Sequence, residues 1–192
     1  MKNLMILFAF VLFFTDSIAQ SSPQKVPTIK ASSVMIDGRF EDAEWFKAQR
    51  VVMSDSVNFY IMQDKENIYW CLRGLFKKPT LGGVDFYMLV DNNLINFHAS
   101  AQLGERKLSG NDYGEWTWWN NERWVANVVR IDKLAERKFH MDEAKEFQLR
   151  KSRFDTTTIK IMVEVSHPKQ LGFKFPAAAT PTATTNWLEL KL

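Results

Sequence analysis

The sequence is poor in the residues from which most catalytic and metal sites are built. Its only cysteine, Cys71, excludes an internal disulfide. Its three histidines, at positions 98, 140 and 167, form no His-Glu-x-x-His pair, so a zinc site has no support. No Gly-x-Ser-x-Gly elbow, phosphate-binding loop or dinucleotide fingerprint is present. We therefore predict a non-catalytic protein, although a carboxylate pair for glycoside hydrolysis stays open because it leaves no spacing rule in sequence.

Strong net charge and a membrane-spanning apolar run are also missing. The net charge is only +3, without a basic stripe, which argues against a nucleic-acid partner. The longest apolar run, residues 4–14, is too short for a helix that crosses a bilayer, which needs about 20 residues. Because this run follows Lys2 and precedes Ser17-Ile18-Ala19, it is typical of a signal peptide cleaved near Ala19. We expect a secreted or periplasmic protein with no membrane span after cleavage.

Aromatic residues, by contrast, are abundant at 14%, with seven Trp and fifteen Phe. They lie in short alternating runs separated by turn residues, and no long helical period is seen. Two hairpins are predicted, one from residues 57–63 and 67–74 and one from residues 84–90 and 94–103. A third, rich in Trp, is predicted from residues 116–119 and 124–129. Its predicted turn is residues 120–123.

Further strand-like runs occur toward the end of the chain, at residues 147–151, 159–166, 171–175 and 187–192. Short strands at regular spacing, without helices long enough to connect parallel strands, favour an all-β fold. We predict an antiparallel two-sheet β-sandwich that is jelly-roll-like. The predicted organisation is a signal peptide over residues 1–19, a leader over 20–33 and a single domain over 34–192.

The segment from Val34 to Trp45 contains an Asp-Gly turn and an acidic stretch before the tryptophan. From the residues alone, we expect Trp45 to plug one end of the sandwich. This opening resembles that of family 9 carbohydrate-binding modules and their DOMON-like relatives. The resemblance continues through residues 64–72, 85–91 and the closing 187–190 strand. It implies a β-sandwich that binds oligo- or polysaccharide, often with calcium and with Trp rings gripping the sugar, beside a catalytic partner protein.

Sugars present apolar C–H faces and hydroxyl groups, so a carbohydrate site needs flat aromatic rings beside polar side chains. Trp116 and Trp118 share one face of a predicted strand, and Trp187 lies opposite three leucines. His98 belongs to a polar row with Asn96, Ser100 and Gln102 on one face of the predicted 94–103 strand. The candidate carbohydrate-binding residues are Trp116, Trp118, Trp187, Glu105, Arg106, Asn120 and His98.

Each candidate also has a structural interpretation. Trp187 is expected to pack beneath the Ala/Thr/Pro loop of residues 176–185 unless it forms a stacking platform. No cofactor follows from the residues themselves, and Asp85 with residues 91–93 offers only an incomplete set of calcium ligands. The predicted function is an exported carbohydrate-binding domain. The alternatives are a structural or protein-interaction sandwich and a haem-binding domain that uses Met and His.

Overall fold

The alternating runs form the strands of a two-sheet sandwich in the computed structural model of the chain. The structure describes residues 23–29, 34–38, 40–55, 57–74, 83–100, 103–118, 122–124, 130–133, 138–140, 144–166 and 172–192. Within them the strands are β1 (Gln24–Lys25), β2 (Gln49–Val52), β3 (Asn58–Gln63), β4 (Asn67–Arg73), β5 (Gly83–Val90), β6 (Asn93–Ala99), β7 (Leu103–Ser109), β8 (Asp112–Tyr113), β9 (Thr117–Trp118), β10 (Arg123–Trp124), β11 (Arg130–Lys133), β12 (Lys138–His140), β13 (Ala144–Arg150), β14 (Thr158–Ser166), β15 (Phe173–Phe175) and β16 (Leu188–Lys191). One short α-helix, α1 (Asp42–Trp45), and two 3₁₀ turns, Lys151–Arg153 and Thr184–Asn186, complete the described elements.

Two of the sheets are large and mostly antiparallel. The first has the order β1-β16-β14-β5-β6-β7-β8, with β15 also pairing with β14 and β9 with β7. The second has the order β10-β13-β4-β3-β2, and β11 pairs separately with β12. The predicted all-β sandwich is therefore confirmed.

Aromatic side chains from both sheets form the core between them. Trp70 of β4 lies 5.0 Å from Phe86 of β5, and Phe86 lies 4.6 Å from Phe147 of β13, measured between ring centroids. All three are almost fully buried. Removing such a ring from water contributes about 1.5–3 kcal/mol, so these contacts are a main source of the attraction between the sheets.

The first two predicted hairpins are present as β3–β4 and β5–β6. The return strand of the second ends at Ala99 rather than at residue 103. The third predicted hairpin is wrong, because β9 pairs with β7 in the nine-stranded sheet whereas β10 pairs with β13 in the five-stranded sheet. The Trp-rich segment therefore passes from one sheet to the other.

The buried carboxylate of Glu146 stabilises the Asp-Gly turn at residues 37 and 38. Glu146 accepts hydrogen bonds from the backbone N–H groups of Asp37 and Gly38, both at 2.9 Å, and from Trp45 Nε1 at 3.0 Å. Gly38 has a φ of 82°, which glycine adopts without steric cost. Trp45 packs with Met62 and its neighbours on the outer face of the five-stranded sheet, so the expectation that it plugs one end of the sandwich is wrong.

The predicted leader is partly built into the fold. Strand β1 pairs in parallel with β16, and Val26 is fully buried in the main core. The backbone of Ile29 also donates to the carbonyl of Gln63. Residues 24–26 of the predicted leader are therefore joined to the sheets.

The predicted signal peptide, residues 1–19, lies outside the described residues. Among the residues that are described, no helix has the length and apolar character needed to cross a membrane.

Candidate functional site

Three aromatic side chains of one segment meet on the outer face of the nine-stranded sheet. Leu108 pairs with Tyr113 and Glu105 pairs with Thr117, so the chain advances four residues where β7 advances three. This extra residue is a β-bulge, and it shifts the alternation by one. As a result Tyr113, at an odd position, lies on the same face as Trp116 and Trp118, at even positions.

The two tryptophans stack on each other. Their ring centroids are 5.3 Å apart and their planes differ by 26°. Trp118 is 41% exposed and Trp116 is half-buried beneath it. A Cβ atom on Gly104 would lie 2.6 Å from Cζ3 of Trp118 and 2.9 Å from Cε3 of Trp116, so the rings occupy this position only because residue 104 is glycine.

Arg106 completes this aromatic face. Its Cζ lies 3.9 Å from the ring centroid of Tyr113 and 4.2 Å from that of Trp116, both within cation–π range. Tyr113 is 43% exposed. We call Tyr113, Trp116, Trp118 and Arg106 the aromatic ladder.

A chain of hydrogen bonds fixes the ladder to the sheet. Arg106 Nε donates to Asn96 Oδ1 at 3.1 Å, and Asn96 Nδ2 donates to Asp85 Oδ1 at 3.1 Å. His98 Nδ1 lies 3.0 Å from the same Asp85 oxygen. Because a carboxylate only accepts, Nδ1 of His98 carries the hydrogen. The His98 ring also meets Trp116 edge to face at 5.9 Å between centroids.

The tyrosine beneath this face is neutral at physiological pH. Tyr87 lies beside Asn96 in the sheet register and is buried. Burial first, and the charge of Asp85 second, raise the pKa of Tyr87 well above its usual range. The phenol therefore stays protonated beneath the ladder.

The structure brings four predicted candidates together: Trp116, Trp118, Arg106 and His98. Asn120 lies outside the described residues. Tyr113, Asn96 and Asp85 join the same surface, although they were not among the predicted site residues. Asn96 could have been predicted from its place in the polar row of β6. Tyr113 could not, because its orientation depends on the β-bulge.

Glu105, also a predicted carbohydrate-binding residue, does not lie on this surface with Arg106. Successive residues of a strand point to opposite faces. Glu105 therefore points inward, where it accepts a hydrogen bond from Arg153 Nη2 at 2.6 Å. Arg153 also donates to Glu122 at 3.2 Å, so Glu105 belongs to an ion-pair cluster that connects β7 with the start of β10.

Trp187, another predicted carbohydrate-binding residue, is buried rather than exposed beside the ladder. Its side chain is 5% exposed, its Nε1 donates to the carbonyl of Thr180 at 2.9 Å, and its ring meets Tyr87 edge to face. It packs beneath the 176–185 loop, which was the structural interpretation. No ring face is left for a ligand.

The described residues give no support to a metal centre. Among them, no group of three or more His, Cys, Asp or Glu side chains is placed to hold a metal ion. Asp85 and Asp91 lie six residues apart on and just after β5, which is about 20 Å along an extended strand. They cannot share one calcium ion.

Methionine ligands for haem find no support among the described strands. Met62, Met88 and Met162 are fully buried among apolar side chains. They fill gaps in the packing, a usual role of this residue.

Comparisons with protein-family models, with curated proteins and with solved structures found no match for this chain.

Proposed function

We propose that the protein binds carbohydrate, without catalysing its conversion, on the outer face of the nine-stranded sheet. The observation that carries this proposal is the stacked Trp pair, whose outer ring, Trp118, is 41% exposed beside an ordered row of polar groups. Contiguous exposed apolar patches on a protein surface often mark interaction sites and ligand-binding grooves, and the ladder presents Tyr113 and Trp118 together on one face.

Stacking would supply the apolar part of the binding energy. Trp118 rests on Trp116 and over Gly104, so little rotamer freedom is lost when a sugar ring packs on it. Pre-ordering of this kind raises affinity by lowering the entropic cost of binding. Tyr113, 43% exposed at the other end of the ladder, offers a second ring for a longer saccharide.

Hydrogen bonds would supply orientation. Arg106 offers N–H donors, and Asn96 and His98 are already ordered by Asp85. A few placed polar groups beside an apolar platform are typical of small-molecule sites. Export from the cytoplasm, the further part of the proposal, follows from the signal-peptide pattern of residues 1–19.

The test is calorimetric titration of the purified protein with a panel of soluble oligosaccharides. We expect saturable binding to at least one, and a loss of at least about tenfold in affinity for Trp118→Ala. Phe46→Ala is the matched control, because Phe46 is 71% exposed and lies outside the ladder. The proposal would be overturned if no oligosaccharide bound to the folded protein, or if both variants bound as tightly as the parent.

A further inference from the structure

We propose that the carbohydrate bound at the aromatic ladder is an acidic one, recognised through its carboxylate by Arg106. This inference rests on the proposed function and names its ligand class. It follows from the contacts that the Arg106 guanidinium makes within the ladder and from its lack of an acidic partner among the described residues.

Arg106 lacks an acidic partner among the described residues, whereas two lysines of the same sheet have one. Lys160 pairs with Glu189 at 3.5 Å. Lys174 pairs with Glu164 at 3.3 Å. Arg106 has no described carboxylate within 4.0 Å, and its only described hydrogen bond is from Nε to the neutral amide of Asn96.

The guanidinium is nevertheless held in place. Two aromatic rings lie about 4 Å from its Cζ, and Asn96 binds its Nε. This arrangement leaves Nη1 and Nη2, with four N–H donors, without protein partners among the described residues. A planar fork of donors matches the two oxygens of a carboxylate, and charge-assisted bonds of this kind are about twice as strong as neutral ones.

Acidic groups near the ladder are already engaged or point away from it. Asp85 has an oxygen occupied by Asn96 and His98. Asp112 and Glu115 are exposed and adjoin ladder residues in the chain, but neither forms a described ion pair with Arg106. A uronic acid ring packed against the ladder would therefore bring its carboxylate to a cation that has no described acidic partner.

The experiment compares sugars that differ only in charge. Oligogalacturonate, oligomannuronate and glucuronoxylan oligosaccharides are each titrated beside their methyl esters, together with the neutral panel. We expect at least one acid to bind at least about tenfold more tightly than its ester. We also expect this preference to weaken as salt rises, because partly exposed charges are screened.

Two variants connect the preference to Arg106. Arg106→Gln should bind acid and ester equally, whereas Arg106→Lys, which keeps the charge but loses the planar fork, should keep part of the preference. Arg50→Gln is the matched control, since Arg50 also donates from Nε to an asparagine but lies on the other sheet.

The outcomes separate this inference from the proposed function. Equal binding of acids and esters by the parent protein would overturn the inference and leave carbohydrate binding standing. An acid preference that persists in folded Arg106→Gln would also overturn it. Failure to bind any acidic, esterified or neutral sugar would overturn both.

Discussion

The rings of Trp116 and Trp118 stack 5.3 Å apart over Gly104, where a Cβ atom would collide with both. This relationship shows how a backbone position determines an exposed side-chain surface. Gly104 of strand β7 leaves the space that the two rings occupy, and the β-bulge before Thr117 determines which side chains of the segment face outward. The stacking and the position of the rings therefore depend on Gly104, a residue that has no side chain with which to contact a ligand.

Gly104→Ala should weaken carbohydrate binding without unfolding the protein. The added methyl group must displace the Trp pair, so we expect a loss of at least about fivefold in affinity. Calorimetry measures this loss, and urea unfolding checks stability. The control is Gly110→Ala, at a residue whose added Cβ meets nothing within 4 Å but whose φ of 61° makes alanine cost about 1–2 kcal/mol.

We expect Gly104→Ala to lower affinity and Gly110→Ala to lower stability alone. If Gly104→Ala bound as tightly as the parent, the present position of the two rings over Gly104 would not be needed for binding.

Trp187→Phe should lower stability and leave carbohydrate affinity unchanged. Phenylalanine loses the hydrogen bond to the Thr180 carbonyl and part of the buried volume, at a cost of about 1–3 kcal/mol. Urea denaturation followed by circular dichroism measures this cost. A variant of full stability whose affinity falls would show that the ring contacts ligand, contrary to its burial.

Glu146 should make stability depend on pH. Burial raises the pKa of Glu146 from its usual 4.5 to about 7, against the lowering effect of its hydrogen bonds from Gly38, Asp37 and Trp45. Because the folded state holds this proton more tightly than the unfolded chain, the stabilisation is complete below pH 4.5 and is lost as pH rises through about 7. The difference amounts to about 3 kcal/mol.

Urea midpoints measured from pH 4.5 to 8 test this dependence. Glu146→Gln should abolish most of the decline, because glutamine does not titrate, while Glu164→Gln on the other sheet should retain it. An identical decline in Glu146→Gln would assign the pH dependence to other groups.

Asp64 should stabilise the β3–β4 turn. Burial alone would raise the pKa of Asp64, but hydrogen bonds from Tyr69 at 2.6 Å, Asn67 at 2.6 Å and Glu66 at 2.7 Å outweigh it and lower the pKa. Asp64→Ala leaves these three donors without their acceptor, and we expect a loss of about 3 kcal/mol in urea unfolding.

The lowered pKa also fixes the sign of the pH effect at this turn. The stability that ionised Asp64 contributes is present above pH 3.8 and is lost as pH falls through its folded-state pKa. Lys65→Ala, at the exposed next position, is the control and should change stability little. An Asp64→Ala variant as stable as this control would contradict the assigned role.

Hairpins with long alternating arms were predictable from sequence, and the β3–β4 and β5–β6 pairs follow their patterns closely. The Trp-rich hairpin failed because β9 and β10 are only two residues long, too short for alternation to identify a partner. Their true partners, β7 and β13, lie elsewhere in the chain, and only tertiary packing selects them.

The candidate site was predictable in part for the same physical reason. Alternation within β6 placed Asn96 and His98 on one face, and alternation within the Trp segment placed Trp116 with Trp118. Tyr113 joined them through a bulge that no local pattern reveals. Glu146 lies in a charge-rich run that is typical of a solvated surface, and its burial depends on donors more than 100 residues away.

The most direct test is a spectrum of the indole N–H groups of the tryptophans, recorded while oligogalacturonate, the other acidic oligosaccharides and the neutral panel are titrated. Trp116→Phe and Trp118→Phe assign the two ladder resonances. We predict that these two resonances shift and saturate while that of Trp187 stays unchanged. Ladder resonances that do not move with any sugar, or a saturating shift confined to tryptophans outside the ladder, would contradict this prediction.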